Sequence, residues 1–107
     1  RLFKKIDNTF LGYDTGNRFN KNKDQYTEII ELKKFIIHLH LKDKNLKNQN
    51  VILGSGKVDF KKVFKALKKI NYKKNFTFET NRGRNPVKTM KKNLLIIKNI
   101  ARKEKFL

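Results

Sequence analysis

The sequence predicts a small α/β domain in which short parallel strands alternate with amphipathic helices. The clearest observation is the apolar run FIIHLHLKD at 35–43, which is typical of a central strand covered on both faces. A shorter strand-like segment lies on each side of it along the chain, and helical patterns separate the strands. The order β-α-β-α-β-α indicates parallel strands joined by right-handed crossovers.

The first predicted strand is Phe10–Asp14, FLGYD, in which Gly12 and Asp14 share a face. The turn signal TGN follows it. The segment Asp24–Lys34 then predicts a helix, because it has an acidic start and apolar residues at helical spacing.

The central strand, Phe35–Asp43, carries both histidines of the chain. Strict alternation predicts one face with Ile36, His38 and His40, and the opposite face with Ile37, Leu39 and Leu41. Two imidazoles at the carboxyl end of a buried strand point to function, because ligands of α/β proteins bind at that end.

A polar loop and a Gly-x-Gly segment lead to the second half of the chain. Gly54 and Gly56 allow positive φ or a close backbone approach, and a phosphate-binding loop is the less common alternative to a plain turn. Asp59 is a suitable N-cap for a helix that Asn71 ends. The apolar residues of this helix are Phe60, Val63, Phe64 and Leu67.

The third predicted strand is Phe76–Thr80, FTFET, with Thr77 and Glu79 on one face. Asn85 and Pro86 are typical of a helix start. The apolar stripe predicted for this last helix is Val87, Met90, Leu94, Ile97 and Ala101.

Composition limits the classes of function. The chain has 107 residues and no Cys, which fits one small domain and excludes disulfides, thiolate metal sites and Cys nucleophiles. We expect no transmembrane helix, and residues 1–8 lack the apolar segment of a signal peptide, so a cytoplasmic protein is predicted. Since the only Met is Met90, we expect the chain to begin inside a longer protein.

The net charge of +19 is typical of nucleic-acid-binding proteins. The simpler interpretation is a Lys-rich composition with solvated helical faces. The cations are mostly Lys, we expect them to be spread over every segment, and few Arg are present for bidentate contacts. A Lys-rich module that binds nucleic acid nonspecifically remains the alternative of another class.

Each predicted strand ends with a candidate metal ligand on one alternation face: Asp14, His40 and Glu79. If the strands are neighbours, the three side chains converge at one edge. Carboxylate and imidazole ligands without a thiolate suit Mn²⁺, Mg²⁺, Co²⁺ or Zn²⁺. Taken singly, Asp14 is explained by an Asx turn, His40 by a hydrogen bond in the core, and Glu79 by a solvated strand end; their matched placement favours a shared site.

Four segments in order resemble the sugar phosphate isomerase/epimerase family, the xylose-isomerase-like TIM barrels: YDTGN at 13–17, HLHLKD at 38–43, LGSGKVDF at 53–60 and FTFET at 76–80. The resemblance covers nearly the whole chain from Leu11 onward. It implies that the chain, residues 1–107, is the C-terminal portion of the barrel: a partial TIM (β/α)₈ barrel with the last three βα units. The implied partner is the missing N-terminal barrel part, and we expect the fragment to need it for stability and activity.

The resemblance also implies a divalent metal cofactor, Mn²⁺ above Mg²⁺, Co²⁺ or Zn²⁺. By position, Asp14, His40 and Glu79 are similar to three of the family's four ligands; the fourth, a Glu from an earlier strand, has no counterpart here. Glu79 is similar to one member of the catalytic acid/base pair. Substrate contacts are expected from Asn17, Lys42 and His38, although Asn17 also suits a turn and Lys42 a surface position.

The implied reaction is isomerisation or epimerisation of a sugar or sugar phosphate by proton transfer through an enediolate. The alternatives on this scaffold are an inosose dehydratase-like lyase and an endonuclease IV-like AP endonuclease. The nuclease pattern has an Asp-Arg-His run before its Gly-x-Gly, which is missing from the loop at 45–56. An Arg that some sugar-phosphate epimerases carry in this loop is missing too, and Lys44 or Lys47 are the candidates to replace it.

Overall fold

The computed structural model describes residues 10–80 and 83–107. The secondary-structure order is the predicted one. The elements are β1 (Leu11–Asp14), α1 (Gln25–Glu31), β2 (Ile36–Leu41), α2 (Phe60–Lys69), β3 (Asn75–Phe78) and α3 (Pro86–Lys103). None of the helices in this part of the chain is long and apolar enough to cross a membrane. The expectation about a signal peptide concerns the first residues, which lie outside the described ones.

The strands form one parallel sheet in the order β1-β2-β3, so the histidine strand is central. Asp14 is paired with His40, and His40 is paired with Thr77. The ladder continues past β3, because the Glu79 N–H donates to the Leu41 carbonyl at 3.0 Å. All three strands therefore end at the same edge of the sheet, and Asp14 and Glu79 lie on either side of β2.

The core lies on one face of the sheet. Leu39 and Leu41 of β2 are buried, and they belong to one apolar cluster with Val63, Phe64 and Leu67 of α2. The opposite face of β2, which carries the histidines, is only partly buried by the described residues. The expectation of a strand covered on both faces is therefore wrong for this part of the chain.

The alternation of β2 is interrupted at its start. One step along β1, from Leu11 to Gly12, corresponds to two residues of β2, from Ile36 to His38. Ile37 is the additional residue, and a bulge of this kind shifts the faces of the residues beside it. Ile36 is 2% exposed and belongs to the core, whereas Ile37 is 40% exposed. The predicted faces are therefore wrong at these two positions.

The predicted helix starts are confirmed by their caps. Asp24, Asp59 and Asn85 each accept a hydrogen bond from a backbone N–H of the first turn of their helix. The first helix is shorter than predicted, because it ends at Glu31 and not at Lys34.

The apolar stripe of α3 is buried only at its C-terminal end. Ile97 and Ala101 are 6% and 1% exposed, as predicted. Val87, Met90 and Leu94 are 65%, 42% and 38% exposed, so the described residues leave the N-terminal part of the predicted apolar stripe uncovered. Periodicity identifies the apolar side of a helix, but the packing of neighbouring elements decides how much of it is covered.

The Gly-x-Gly loop is organised around the carboxylate of Asp43, which is 1% exposed. Its Oδ2 accepts from the N–H groups of Gly54 and Gly56 at 2.9 Å each, and its Oδ1 accepts from Lys44 at 2.9 Å and Val58 at 3.0 Å. A Cβ on Gly56 would lie 2.5 Å from Asp43 Oδ1, so the close approach requires glycine. The amides that a phosphate loop needs are bound to this internal carboxylate, and that alternative does not hold.

We predict that Asp43→Asn lowers the free energy of unfolding of the full protein by about 2 kcal/mol. An Asn side chain turns its NH₂ group toward two backbone N–H groups and leaves them unsatisfied. The measurement is urea unfolding followed by circular dichroism. The matched control is Asp59→Asn, an exposed N-cap where Asn and Asp are equivalent, with an expected change below about 0.5 kcal/mol. Equal effects of the two substitutions would show that Asp43 does not organise the loop.

Candidate active site

Polar side chains from all three strand ends meet at the carboxyl edge of the sheet. His40 Nδ1 contacts Glu79 Oε1 directly. Lys42 Nζ lies 3.1 Å from Glu79 Oε2 and 3.5 Å from Asp14 Oδ2. The structure thus puts His40 in contact with Glu79, and the Lys42 ammonium lies between Glu79 and the Asp14 carboxylate of β1.

The ion pairs shift the ionisation of their members. The hydrogen bond from Lys42 is the main reason why the pKa of Glu79 lies below its ordinary value; burial opposes the shift and His40 adds to it. Reciprocally, Glu79 raises the pKa of the Lys42 ammonium, burial opposes this, and Asp14 adds to it. Lys42 is therefore a cation and Glu79 a carboxylate at neutral pH.

Two glycines lie against these side chains, and Gly16 makes room for one of them. A Cβ on Gly12 would lie 3.4 Å from His40 Nε2, so the imidazole lies close to the neighbouring backbone of β1. A Cβ on Gly16 would lie 2.7 Å from Lys42 Cγ, closer than a real Cβ approaches another atom. Gly16 therefore does more than form the TGN turn, because the stem of Lys42 packs against it.

The backbone around Lys42 is held by Thr15. The Thr15 hydroxyl donates to the Lys42 carbonyl at 2.7 Å and accepts from the Lys42 N–H at 2.9 Å. Thr15 is fully buried, and its own N–H donates to the His40 carbonyl at 3.0 Å. Thr15 therefore joins the ends of β1 and β2 beneath the site, a role that no pattern in the sequence indicates.

Asn17 and His38 lie beside the cluster. Asn17 donates its backbone N–H to Asp14 Oδ1 at 2.9 Å and its Nδ2 to Asp14 Oδ2 at 3.2 Å, so Asp14 caps the turn that follows β1. The ring of His38 lies 4.8 Å from that of His40 and contacts the Thr77 hydroxyl. Asn17 thus fixes Asp14, and His38 lies one step deeper on the same face as His40.

A second polar cluster, not anticipated from the sequence, supports the loop that follows β1. Arg18 donates Nε and Nη2 to the two carboxylate oxygens of Glu28 at 2.9 and 3.1 Å, and Tyr13 donates its hydroxyl to Oε1 at 2.8 Å. Gln25 donates to the Thr15 carbonyl at 2.9 Å. Burial raises the pKa of Glu28, but the bonds from Arg18 and Tyr13 outweigh it, and the pKa falls below its ordinary value.

The donor set at this edge suits a divalent ion by its chemistry but not by its present arrangement. As the side chains are placed, no three His, Asp or Glu groups within residues 10–80 and 83–107 converge closely enough to hold a metal together. The chemistry nevertheless fits, because two carboxylates and an imidazole are ligands for Mn²⁺ or Mg²⁺-like ions. The Lys42 ammonium also marks a point where Asp14 and Glu79 both face one positive charge.

Parallel strands with helices on one side and polar residues at their carboxyl ends define a part of an α/β barrel. Residues 1–100 match the family model described as xylose isomerase-like TIM barrel, so the chain belongs to that family. No curated protein matches the chain.

Two solved structures show the same fold. The structure of an L-ribulose 3-epimerase has a TM-score of 0.76 and 20% identity, and the match covers 94% of this chain and 39% of that one. An uncharacterised protein from Parabacteroides distasonis ATCC 8503 has a TM-score of 0.51 and 19% identity, with 85% and 38% covered. The chain therefore spans about two fifths of the length of either structure, and its fold is part of a xylose isomerase-like barrel.

We predict that Arg18→Gln lowers the free energy of unfolding by about 1–2 kcal/mol at pH 7, because the Glu28 carboxylate, 7% exposed, loses its bidentate partner. The partial exposure of Arg18 keeps the figure below that of a fully buried pair. The folded-state pKa of Glu28 is depressed, so this stabilisation is present above the ordinary value of 4.5 and is lost as pH falls through the folded value.

Urea unfolding at pH 7 and at acidic pH measures this difference, which should shrink in acid. The control is Lys23→Gln, since the exposed Lys23 ammonium lies 3.5 Å from the same carboxylate. We expect it to change stability by less than about 0.5 kcal/mol. An Arg18→Gln effect as small as the control's would contradict the supporting role.

Proposed function

We propose that the protein is a metal-dependent sugar isomerase or epimerase, acting in the cytoplasm on a sugar or sugar phosphate. The observation that carries the proposal is that His40 contacts Glu79, and Lys42 links Glu79 to Asp14, at adjoining strand ends of a xylose isomerase-like barrel. Ligands of such barrels bind at the carboxyl ends of the strands. The L-ribulose 3-epimerase fold match is consistent with this class of reaction.

Asp14, His40 and Glu79 are the proposed ligands of a divalent ion, with Mn²⁺ expected first. When bound, such an ion supplies Lewis-acid polarisation of a sugar carbonyl. Because only about two fifths of the epimerase structure is covered, we propose that this chain supplies the C-terminal βα units of a barrel. A further carboxylate, from an earlier strand, then completes the ligand set and the acid/base pair.

The chain's own groups have distinct proposed tasks. The Glu79 side chain is 37% exposed and ionised at neutral pH, so it is the base that removes a proton from the carbon beside the carbonyl and returns it. Asn17 keeps Asp14 in position through two hydrogen bonds. The proposed contacts to substrate oxygens come from Lys42 and His38, which lie on the same face of the sheet as His40 or beside it.

We predict that Glu79→Gln lowers turnover of the full enzyme by about 100-fold or more while KM changes little, because a proton-transfer group is removed. The assay is hydrogen–deuterium exchange beside the carbonyl, followed by NMR in D₂O with Mn²⁺ and a panel of ketoses that begins with L-ribulose. The control is Glu31→Gln, an exposed carboxylate at the end of α1, with no expected effect. Unchanged turnover in Glu79→Gln would show that Glu79 does not transfer the proton, and the fold assignment would stand.

We propose polyanion binding as a second function, because the cations are not evenly spread as expected. Together α2 and α3 contain ten Lys and one Arg but no Asp or Glu, whereas α1 contains two Glu and no cation. All of these cations are exposed. A groove beside the C-terminal ends of α2 and α3 is lined by Tyr26, by Glu104 and by five lysines: Lys65, Lys68, Lys69, Lys103 and Lys105. Glu104 lies 3.8 Å from Lys65, so the lining keeps a net positive charge. Such a surface suits the phosphate backbone of nucleic acid.

We predict that the protein binds a labelled 20-base-pair DNA duplex with an affinity that falls steeply with salt. Changing Lys65, Lys68 and Lys69 to Gln should reduce the slope of log K against log salt by up to about 3, since each phosphate contact contributes about 0.9. Fluorescence anisotropy of the labelled duplex at several salt concentrations measures this slope.

The control for this experiment changes the same number of exposed lysines outside the two helices, Lys33, Lys34 and Lys47. We expect that variant to keep the parent slope. If both triple variants lose affinity equally, the binding reflects net charge alone and the α2–α3 surface has no special role.

A further inference from the structure

We propose that Lys42 is the resident counter-cation of the candidate active site: its ammonium holds Asp14 and Glu79 together in the metal-free protein and leaves them when a divalent ion binds. The first half of this inference stands on the structure alone. The exchange with a metal rests on the proposed function and adds to it, because it makes one side chain responsible for how readily the site accepts its ion.

The first observation is the position of the ammonium. Lys42 Nζ is within ion-pair distance of both carboxylates, at 3.1 Å from Glu79 and 3.5 Å from Asp14. The Lys42 side chain is 13% exposed, whereas the paired lysines Lys23 and Lys65 are 55% and 62% exposed. In a chain whose cations mostly project into solvent, Lys42 is enclosed between two anions from different strands.

The second observation is that the chain is shaped to hold this side chain. The stem of Lys42 packs on Gly16, where a Cβ would lie 2.7 Å from Cγ and 3.1 Å from Cβ and Cδ. Its backbone N–H and carbonyl are both bound to the Thr15 hydroxyl. The backbone and the aliphatic part of Lys42 are therefore fixed by Thr15 and Gly16. Its ammonium is directed to the carboxylates and not to water.

The Lys42 ammonium and a divalent ion compete for the same two carboxylates, Asp14 and Glu79. Two carboxylates that face one point repel each other unless a cation lies between them. The ammonium supplies that cation in the metal-free protein. A divalent ion bound by the same oxygens would repel the ammonium at this distance, so the two cannot occupy the point together. Because the stem is fixed on Gly16, the released ammonium stays at the strand edge, where a hydroxyl or phosphate oxygen of a sugar would arrive.

The metal-free protein tests the first half. Lys42→Met keeps the stem and removes the charge, so we expect the melting temperature to fall by about 2–4 °C. In the Asp14→Asn/Glu79→Gln background the same substitution should have no effect, because the anions that need Lys42 are gone. Lys47→Met, an exposed lysine of the following loop, is the matched control and should leave the melting temperature unchanged. An equal fall in both backgrounds would overturn the counter-cation role.

Calorimetric titration with Mn²⁺ of the complete protein, which includes the earlier barrel strands, tests the exchange. We expect Lys42→Met to bind Mn²⁺ about 10-fold more tightly than the parent, which corresponds to about 1.4 kcal/mol. Lys42→Arg keeps the positive charge, so we expect it to bind Mn²⁺ with the affinity of the parent. Equal Mn²⁺ affinity of parent and Lys42→Met would overturn the exchange and leave the proposed function intact. The absence of Mn²⁺ binding in both proteins would overturn the exchange and the proposed function together.

The unmodified protein provides a readout that needs no variant. Acetylation by acetic anhydride, quantified at each lysine by mass spectrometry, reports how accessible and how free of ion pairs an amine is. We expect Mn²⁺ to increase the labelling of Lys42 severalfold and to leave Lys47 unchanged. If labelling of Lys42 does not change at saturating Mn²⁺, the ammonium does not leave the carboxylates and the exchange is excluded.

Discussion

The candidate site depends on the register of three parallel strands. Asp14 lies beside His40, and His40 beside Thr77, so the residues after each strand are delivered to one edge of the sheet. A slip by one residue would turn every side chain of a strand to the other face and separate Glu79 from His40. The buried Thr15, which bonds to the backbone of both His40 and Lys42, holds this register at the strand ends.

Features that local sequence determines were predictable. The caps Asp59 and Asn85 follow from the preference of short polar side chains for unpaired N–H groups, and the structure has both. Asp24 was predicted only as the acidic start of its helix, and it caps that helix as well. Ile37 was misplaced because a bulge depends on the register with a neighbouring strand, which no alternation pattern contains. How much of the apolar stripe on α3 is buried was not predictable for a related reason, since burial depends on the elements that pack against the helix.

The candidate site likewise has features that the sequence predicts and features that it does not. Strand ends and alternation predicted that Asp14, His40 and Glu79 lie together, because parallel strands impose that convergence. The Asp43 carboxylate was missed, since its four partners are backbone N–H groups, which have no residue identity in a sequence. Only the Gly54 and Gly56 pair indicated it, and that pair also suits a turn. The Gly16 contact with Lys42 was hidden similarly, because a glycine in a turn already has an explanation.

The excess of positive charge over negative charge places the strongest constraint on the proposed metal binding. The chain has 9 acidic residues against 28 Lys and Arg, so a divalent ion approaches a molecule that repels it. Most of the acidic residues in the described part cap helices, organise loops or pair with cations, as Asp59, Asp43 and Glu28 do. Asp14 and Glu79 are the acidic pair held at one point, and Lys42 already neutralises part of their charge. A metal can replace that ammonium only if the site gains further negative charge, and a carboxylate from the rest of the barrel is the group that our proposal requires for it.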